Sequence, residues 1–247
     1  MKITEDVHTH TYYSHGKNSI EEMTAAAAEK GLSAVHITEH GKAHWTARKM
    51  NMQRYEEMKT EIIRLRLLYP QIKIVFGLEA NIISVDGDLD FTDEELTLFD
   101  TVNAGFHMTA KMKNLKSYIK ITLASVIFSK LKIRLFQKSF RKTCTESMIC
   151  ALNRYNINMI THPTSRYLID LGRVAQACEE TSTLLEINSS RSKLDASELA
   201  SLKDRTVLFA AGSDAHSADR AGDFTAAEAI IAESGIDLSR IVNIENK

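Results

Sequence analysis

The sequence predicts an α/β fold in which parallel strands form a closed or nearly closed barrel, and three observations lead there. Seven short, continuously apolar runs alternate with helical stretches, the pattern of a parallel sheet covered by helices. Residues able to hold a metal fall repeatedly just after those runs: His8 and His10, His40, Glu79, His107, His162, then Asp214 and His216. Seven of the nine histidines are used in this way or in the loop that holds His15. A barrel gathers all its strand ends on one face, whereas an open doubly wound sheet gathers only those near its switch point. So many metal-capable strand ends therefore favour the barrel.

Taken in order, Ile3 to Val7 reads as the first strand. Side chains alternate along a strand, so His8 and His10 reach to one side together, and His15 follows in a loop that can fold back toward them. Ser19 to Lys30 reads as a helix, with Ser19 and Glu22 as a capping box and Gly31 as the residue that ends it. Ala34 to Thr38 is a buried strand, followed by Glu39-His40-Gly41. Asn51 to Tyr69 is a long helix stopped by Pro70, and Ile72 to Leu78 is the next strand, with Glu79 at its end. Thr101 to Phe106 leads to His107. A helix over Thr143 to Tyr155 precedes the strand Met159 to Thr161, and His162-Pro163 follows. A helix from Asp170 to Glu180, a strand from Leu184 to Ile187, a helix from Ala196 to Lys203 and a strand from Val207 to Ala211 complete the repeat. Phe224 to Glu233 is the last helix, and Asp237 to Ile244 closes the chain.

Composition narrows the class of protein. Of 247 residues 44% are hydrophobic and 26% charged, which is ordinary for a chain with a packed core. A formal net charge of -1 argues against a protein that coats nucleic acid, and no stable nucleic-acid partner is expected. Cys144, Cys150 and Cys178 are three and widely spaced, which suggests small buried hydrophobes in a reducing compartment rather than a disulfide framework. The N-terminus has no apolar signal-peptide core, and no run approaches the ~18 apolar residues of a membrane span, so a cytoplasmic location is expected. No low-complexity linker divides the chain, and residues 1–247 read as one domain.

Imidazole and carboxylate ligands without cysteine suit Mn(II), Fe(II) or Zn(II). The segments His8-Thr9-His10, Thr38-Glu39-His40-Gly41, Gly77-Leu78-Glu79-Ala80, Gly105-Phe106-His107, Thr161-His162-Pro163 and Gly212-Ser213-Asp214-Ala215-His216 together resemble the PHP family, the polymerase and histidinol phosphatase domain. The resemblance runs from about Asp6 to the end of the chain. It implies a distorted seven-stranded (β/α)7 TIM-like barrel, two to three divalent ions, and phosphoester hydrolysis through a metal-activated hydroxide. It also implies the ligand sets. His8, His10, Glu79 and Asp214 would hold a first ion; Glu79 would bridge to a second held by His107 and His216; His15, His40 and His162 would hold a third.

The expected activity is hydrolysis of a small phosphomonoester, as by a histidinol phosphatase, with Glu79, Asp214 and Arg191 at the catalytic centre. A phosphodiesterase or exonuclease acting on nucleic-acid ends is the alternative, and a non-catalytic metal-binding domain is the alternative of another class. Phosphate also suits a guanidinium. Arg191, in Asn188-Ser189-Ser190-Arg191, resembles the family's phosphate-side arginine; Arg166 and Arg220 are weaker candidates, read first as solvated surface residues. His36 lies inside a strand and reads as a satisfied core or helix-facing histidine. His44, beside Trp45, is placed to line the mouth of the site. Asp6 reads equally as a residue orienting a ligand histidine and as a strand-edge ion pair.

From Met108 to Thr145 there are ten Lys or Arg and no Asp or Glu. Three readings stand open: a basic amphipathic helix on a membrane or nucleic acid, an extended loop whose positive field attracts phosphorylated substrates, or a packed helix with a solvated basic face. The position directly after His107 favours the second over the first. The sequence leaves the oligomeric state open.

Overall fold

The computed structural model describes residues 1–45, 50–131, 137–164, 167–190 and 194–245. Seven strands form one sheet in chain order: β1 (Glu5–Thr9), β2 (Ala34–His40), β3 (Lys73–Asn81), β4 (Thr101–Gly105), β5 (Met159–Ile160), β6 (Leu184–Asn188) and β7 (Phe209–Gly212). Every neighbouring pair is parallel. The two edges meet just beyond β1 and β7, where Thr9 bridges Ala215 and the His10 N–H donates to the Ala215 carbonyl at 2.8 Å. The barrel is thus nearly closed, as the distribution of metal-capable residues predicts.

Parallel neighbours need crossovers, and the helices supply them. They are α1 (Ile20–Glu29), α2 (Met52–Leu68), α3 (Asp93–Leu96), α4 (Leu115–Ser117), α5 (Ala124–Leu131), α6 (Gln137–Arg154), α7 (Leu171–Thr181), α8 (Ala196–Ala200) and α9 (Thr225–Ser234). A π-helical turn, Tyr118–Leu123, joins α4 to α5. The predicted capping box of α1 forms: Glu22 N–H donates to Ser19 Oγ at 3.1 Å, and Ser19 N–H to Glu22 Oε2 at 2.7 Å. Gly31 follows at φ +73°, where a side chain would be strained. In α2 the buried residues are Tyr55, Met58, Ile62 and Leu65, one stripe at helical spacing. That stripe packs in the same core as Ile37, Ile74, Phe76 and Leu78 of the sheet. Val7, Met159 and Ala210 form a separate small apolar cluster with Leu184 against it. They come from β1, β5 and β7, so they meet across the inside of the barrel.

Several boundaries differ from expectation. β2 and β3 do not stop before their polar residues. Pairing continues through Thr38↔Gly77, Glu39↔Leu78 and His40↔Glu79, because those polar side chains have partners of their own: the Thr9 carbonyl for Thr38, Thr11 for Glu39, and each other for His40 and Glu79. β7 starts at Phe209 rather than Val207. The Val207 N–H donates to Glu179 Oε1 and its carbonyl accepts from Arg240, which takes both groups out of the ladder. α6 begins at Gln137, several residues before the predicted Thr143. Cys144 and Cys178 are buried free thiols as expected, but Cys150 is exposed. Among the described residues no helix is long and apolar enough to cross a membrane.

Candidate metal centre

The centre is built at the C-terminal ends of the strands. His8 lies in β1, with His10 just past it and His15 on the loop that follows. Glu39 and His40 end β2, Glu79 lies in β3, His107 follows β4 and His162 follows β5. Glu186 lies in β6, and Asp214 and His216 follow β7. The loop bearing His15 folds back tightly: the Gly16 N–H donates to the Thr11 carbonyl at 2.8 Å, and a Cβ at Gly16 would sit 2.5 Å from the His10 carbonyl oxygen. All nine predicted ligands converge.

Glu79 is the hub. Its Oε1 lies 2.9 Å from His162 Nε2, 3.2 Å from His107 Nε2 and 3.4 Å from His8 Nε2. Its Oε2 lies 2.8 Å from His40 Nδ1 and 3.5 Å from His10 Nε2. One fully buried carboxylate thus faces five imidazoles. Asp214 Oδ1 adds contacts of 3.4 Å to His10 Nε2 and 4.0 Å to His8 Nε2. The backbones of His162 (φ +30°) and Asp214 (φ +51°) occupy the left-handed region, a strain that persists where surrounding structure demands it and that gathers at functional sites.

The donor set fits divalent ions. His8 Nε2 and His10 Nε2 are 3.0 Å apart, and His15 Nε2 and His216 Nε2 are 2.7 Å apart. Ligand atoms sharing one ion at about 2.1 Å stand roughly 3.0–3.5 Å from each other, so the first cluster has the right spacing. Apart from contacts to Glu79, the ring nitrogens of buried His40 and His107 have no hydrogen-bond partner among the described residues. Buried polar atoms are rarely left so. Among the described residues three groups have atoms close enough to take an ion: His8, His10 and Asp214; His40, Glu79 and His107; His10, His40 and His216. The contacts join His162 to Glu79 and His216 to His15. This reverses the pairing implied by the resemblance, which placed His216 beside His107 and His162 beside His15.

Charge alternates through the cluster. Burial pushes the Glu79 carboxyl up, but His107, His8 and His40 overcome it and hold the group well below the usual carboxylate range. Burial also works against a charge on His8, and Glu186, Glu79 and Asp214 outweigh it, so that ring sits well above the ordinary value. His10, opposed by burial but bonded by Asp214 and Glu39, is raised to about 9. His44 and His216 are pushed down to about 3, by burial first and then by neighbouring histidines.

Sequence reasoning did not single out two carboxylates. Glu186 Oε1 accepts from His8 Nδ1 at 2.7 Å, while its Oε2 accepts the His162 N–H at 2.7 Å. A Cβ at Gly212 would strike this carboxylate, so glycine there lets β7 pass close to it. Glu39 accepts the Thr11 N–H at 2.6 Å and the Thr11 hydroxyl at 2.5 Å, and also the Ser14 hydroxyl; it ties down the loop between His10 and His15. The available signal was an acidic residue inside an apolar strand in both cases.

The remaining candidates fall as follows. Asp6 is buried rather than part of a strand-edge ion pair, and its Oδ1 accepts the backbone N–H of His8 at 3.4 Å. It accepts the backbone N–H groups of Ser213 at 3.0 Å and Gly222 at 2.8 Å, and so fixes the turn that carries Asp214. His36 lies outside the cluster, with Nε2 3.9 Å from Glu5 Oε2. His44 lines the site as expected: its ring stacks on His40 at 4.1 Å, and its Nε2 is 2.6 Å from the Thr109 hydroxyl. Arg220 is an exposed residue paired with Asp223 at 3.2 Å. Arg191 and Arg166 lie outside the described residues.

Comparison with known proteins agrees with this geometry. The model of the PHP domain family matches residues 6–190. The chain belongs to the PHP family. A probable phosphatase of Shewanella halifaxensis is 31% identical over 98% of this chain and 89% of its own length. One from Shewanella pealeana is 32% identical with the same coverage. Among solved structures, the histidinol phosphate phosphatase of Lactococcus lactis, complexed with zinc, L-histidinol and phosphate, superposes with a TM-score of 0.65. It covers 95% of this chain and 94% of its own at 19% identity, which speaks for a shared fold.

Proposed function

We propose that this PHP protein is a metal-dependent phosphatase that hydrolyses a small phosphomonoester. The observation that carries the reading is Glu79, a buried carboxylate faced by five imidazoles at the strand ends of a barrel. The names of the Shewanella relatives, and the phosphate and L-histidinol bound by the Lactococcus phosphatase, support it. Histidinol phosphate is accordingly one substrate to test.

Two to three divalent ions, Mn, Fe or Zn, would be held by His8, His10, Glu79 and Asp214; by Glu79, His107 and His162; and by His15, His40 and His216. Ions bound there neutralise phosphoryl charge and lower the pKa of a water toward ~7. The chain's own part is to aim the ligands. A proton on His8 Nδ1, donated to Glu186, would turn the Nε2 lone pair toward the cluster and a bound ion. His216 does likewise, its Nδ1 lying 2.9 Å from the Asp214 carbonyl oxygen. Glu186→Gln is therefore expected to weaken metal binding by roughly 10–100-fold, read by metal content after equilibration with a buffered ion. Unchanged affinity would reduce Glu186 to a packing role.

Arg191 is assigned to the substrate phosphate from its place after β6. Arg191→Ala is expected to raise KM for monoesters with metal content unchanged; an unaltered KM would remove it from the site. The activity itself is tested with p-nitrophenyl phosphate and the protein loaded in turn with Mn(II), Fe(II) and Zn(II). Phosphate release with at least one ion is expected, and none with any of them would contradict the reading.

A further inference from the structure

The segment after β4 wears its apolar residues on the outside. Leu115, Tyr118, Ile119 and Leu123 are exposed, Leu115 to 72% and Ile119 to 49%. Their spacing of three, one and four residues puts them on one helical face. The residues turned inward are Ser117, Ile121, Thr122 and Ser125, three of them polar. A helix packed only for the sake of the barrel would be the other way round. The segment is nonetheless held firmly: the Lys113 N–H donates to the Ile83 carbonyl at 2.9 Å, and the Val85 N–H to Ser117 Oγ at 3.1 Å. Both partners lie in the loop after β3, so the exposed face belongs to the end of the barrel that carries the metal centre.

Charge identifies the occupant. Lys111, Lys116 and Lys120 are exposed on the same segment and have no ion-pair partner among the described residues. Ten of the 31 Lys and Arg of the chain fall between Met108 and Thr145, and none of its 32 Asp and Glu. Lys113 is paired with Asp88 at 2.9 Å, but a surface apolar along one stripe with Lys111, Lys116 and Lys120 beside it suits a partner that is both apolar and anionic. Trp45, 71% exposed, adjoins the start of the segment through its backbone N–H, which donates to the Thr109 carbonyl at 2.9 Å. Tryptophan and tyrosine suit the boundary between headgroups and acyl chains.

We infer that the helical face formed by Leu115, Tyr118, Ile119 and Leu123, with Lys116 and Lys120 beside it, docks this protein on an anionic lipid surface. The stripe enters the acyl boundary and the lysines meet the headgroups, as in interfacial helices generally. The inference does not depend on the phosphatase reading.

The test is flotation of the full-length protein with two kinds of vesicle, phosphatidylcholine alone and phosphatidylcholine mixed with phosphatidylglycerol. Binding to the mixed vesicles only, weakened by salt, is expected. Each lysine near such a surface is worth roughly fivefold in affinity, so Lys116→Glu with Lys120→Glu should lower binding by about twenty-five-fold or more. Leu115→Ser with Ile119→Ser should lower it as well. All four positions are exposed, so the variants should keep the far-UV circular dichroism of the parent. Binding that ignores lipid charge, or that survives both pairs of substitutions, would overturn the inference. So would failure to float combined with a dimer in solution that Leu115→Ser with Ile119→Ser dissolves, which would give the face to a second copy of the chain. Binding of single-stranded RNA in place of vesicles, lost in the lysine variant, would overturn it too.

Discussion

Glu79→Gln should abolish turnover, lowering kcat by about a thousandfold or more while the barrel stays folded. The magnitude follows from the number of contacts that one oxygen pair makes. The two carboxylate oxygens of Glu79 lie within 3.5 Å of His8, His10, His40, His107 and His162. An amide of the same shape loses the negative charge and turns an N–H₂ toward one set of nitrogens. It would no longer serve the two ions of the proposed centre at once, and the electrostatic stabilisation of the phosphoryl group would go with them. The backbone of Glu79 is paired on both sides within the sheet, to His40 and to Asn103, so the strand has no reason to leave. Steady-state kinetics, metal counting and circular dichroism on one preparation separate these effects. Normal activity in that variant would sink the multinuclear centre.

Removal of the ions is the second large effect. Dialysis against a chelator should abolish activity and also lower the melting temperature, because ions that bind only the folded chain stabilise it by mass action. At a free ion concentration a thousand times Kd the gain is about 4 kcal/mol, or roughly 10 °C for a chain of this size. The physical source is the buried cluster. His8, His10, Glu79 and Asp214 are almost wholly desolvated, and their mutual contacts are spaced for a shared cation rather than for good hydrogen bonds. Adding back Mn(II) should restore both properties. A chelated protein that keeps its activity and its melting point would show that the cluster does not depend on metal.

Much of this was readable in the sequence, for identifiable reasons. Caps and helix stops are local chemistry, so Ser19, Glu22, Gly31 and Asn51 fall where expected. Strand order is readable because apolar runs alternate with helical ones, and the positions of His8, His10, Glu79 and His107 follow from strand ends sharing a face. What the sequence hid depends on three-dimensional pairing. Glu39 and Glu186 look like ordinary acidic residues in strands until the ends of β1 and β5 bring Thr11, His8 and His162 against them. The partners of His162 and His216 are set by the left-handed turns at His162 and Asp214, which no spacing announces. The predicted strands stop short of His40 and Glu79 because both are polar, and polar residues end an apolar run without ending a strand. The outward apolar face near Leu115 was hidden for a related reason: an amphipathic pattern does not say which side the fold will cover.

Hydrolysis of a small phosphomonoester and of its matched diester, each by the same Mn(II)-loaded preparation, is the most direct measurement of all. p-Nitrophenyl phosphate and bis(p-nitrophenyl) phosphate differ only in the second ester. Strong monoester turnover that disappears on chelation, with little diester cleavage, is the expected result. Preference for the diester would contradict it and turn the search toward nucleic-acid ends.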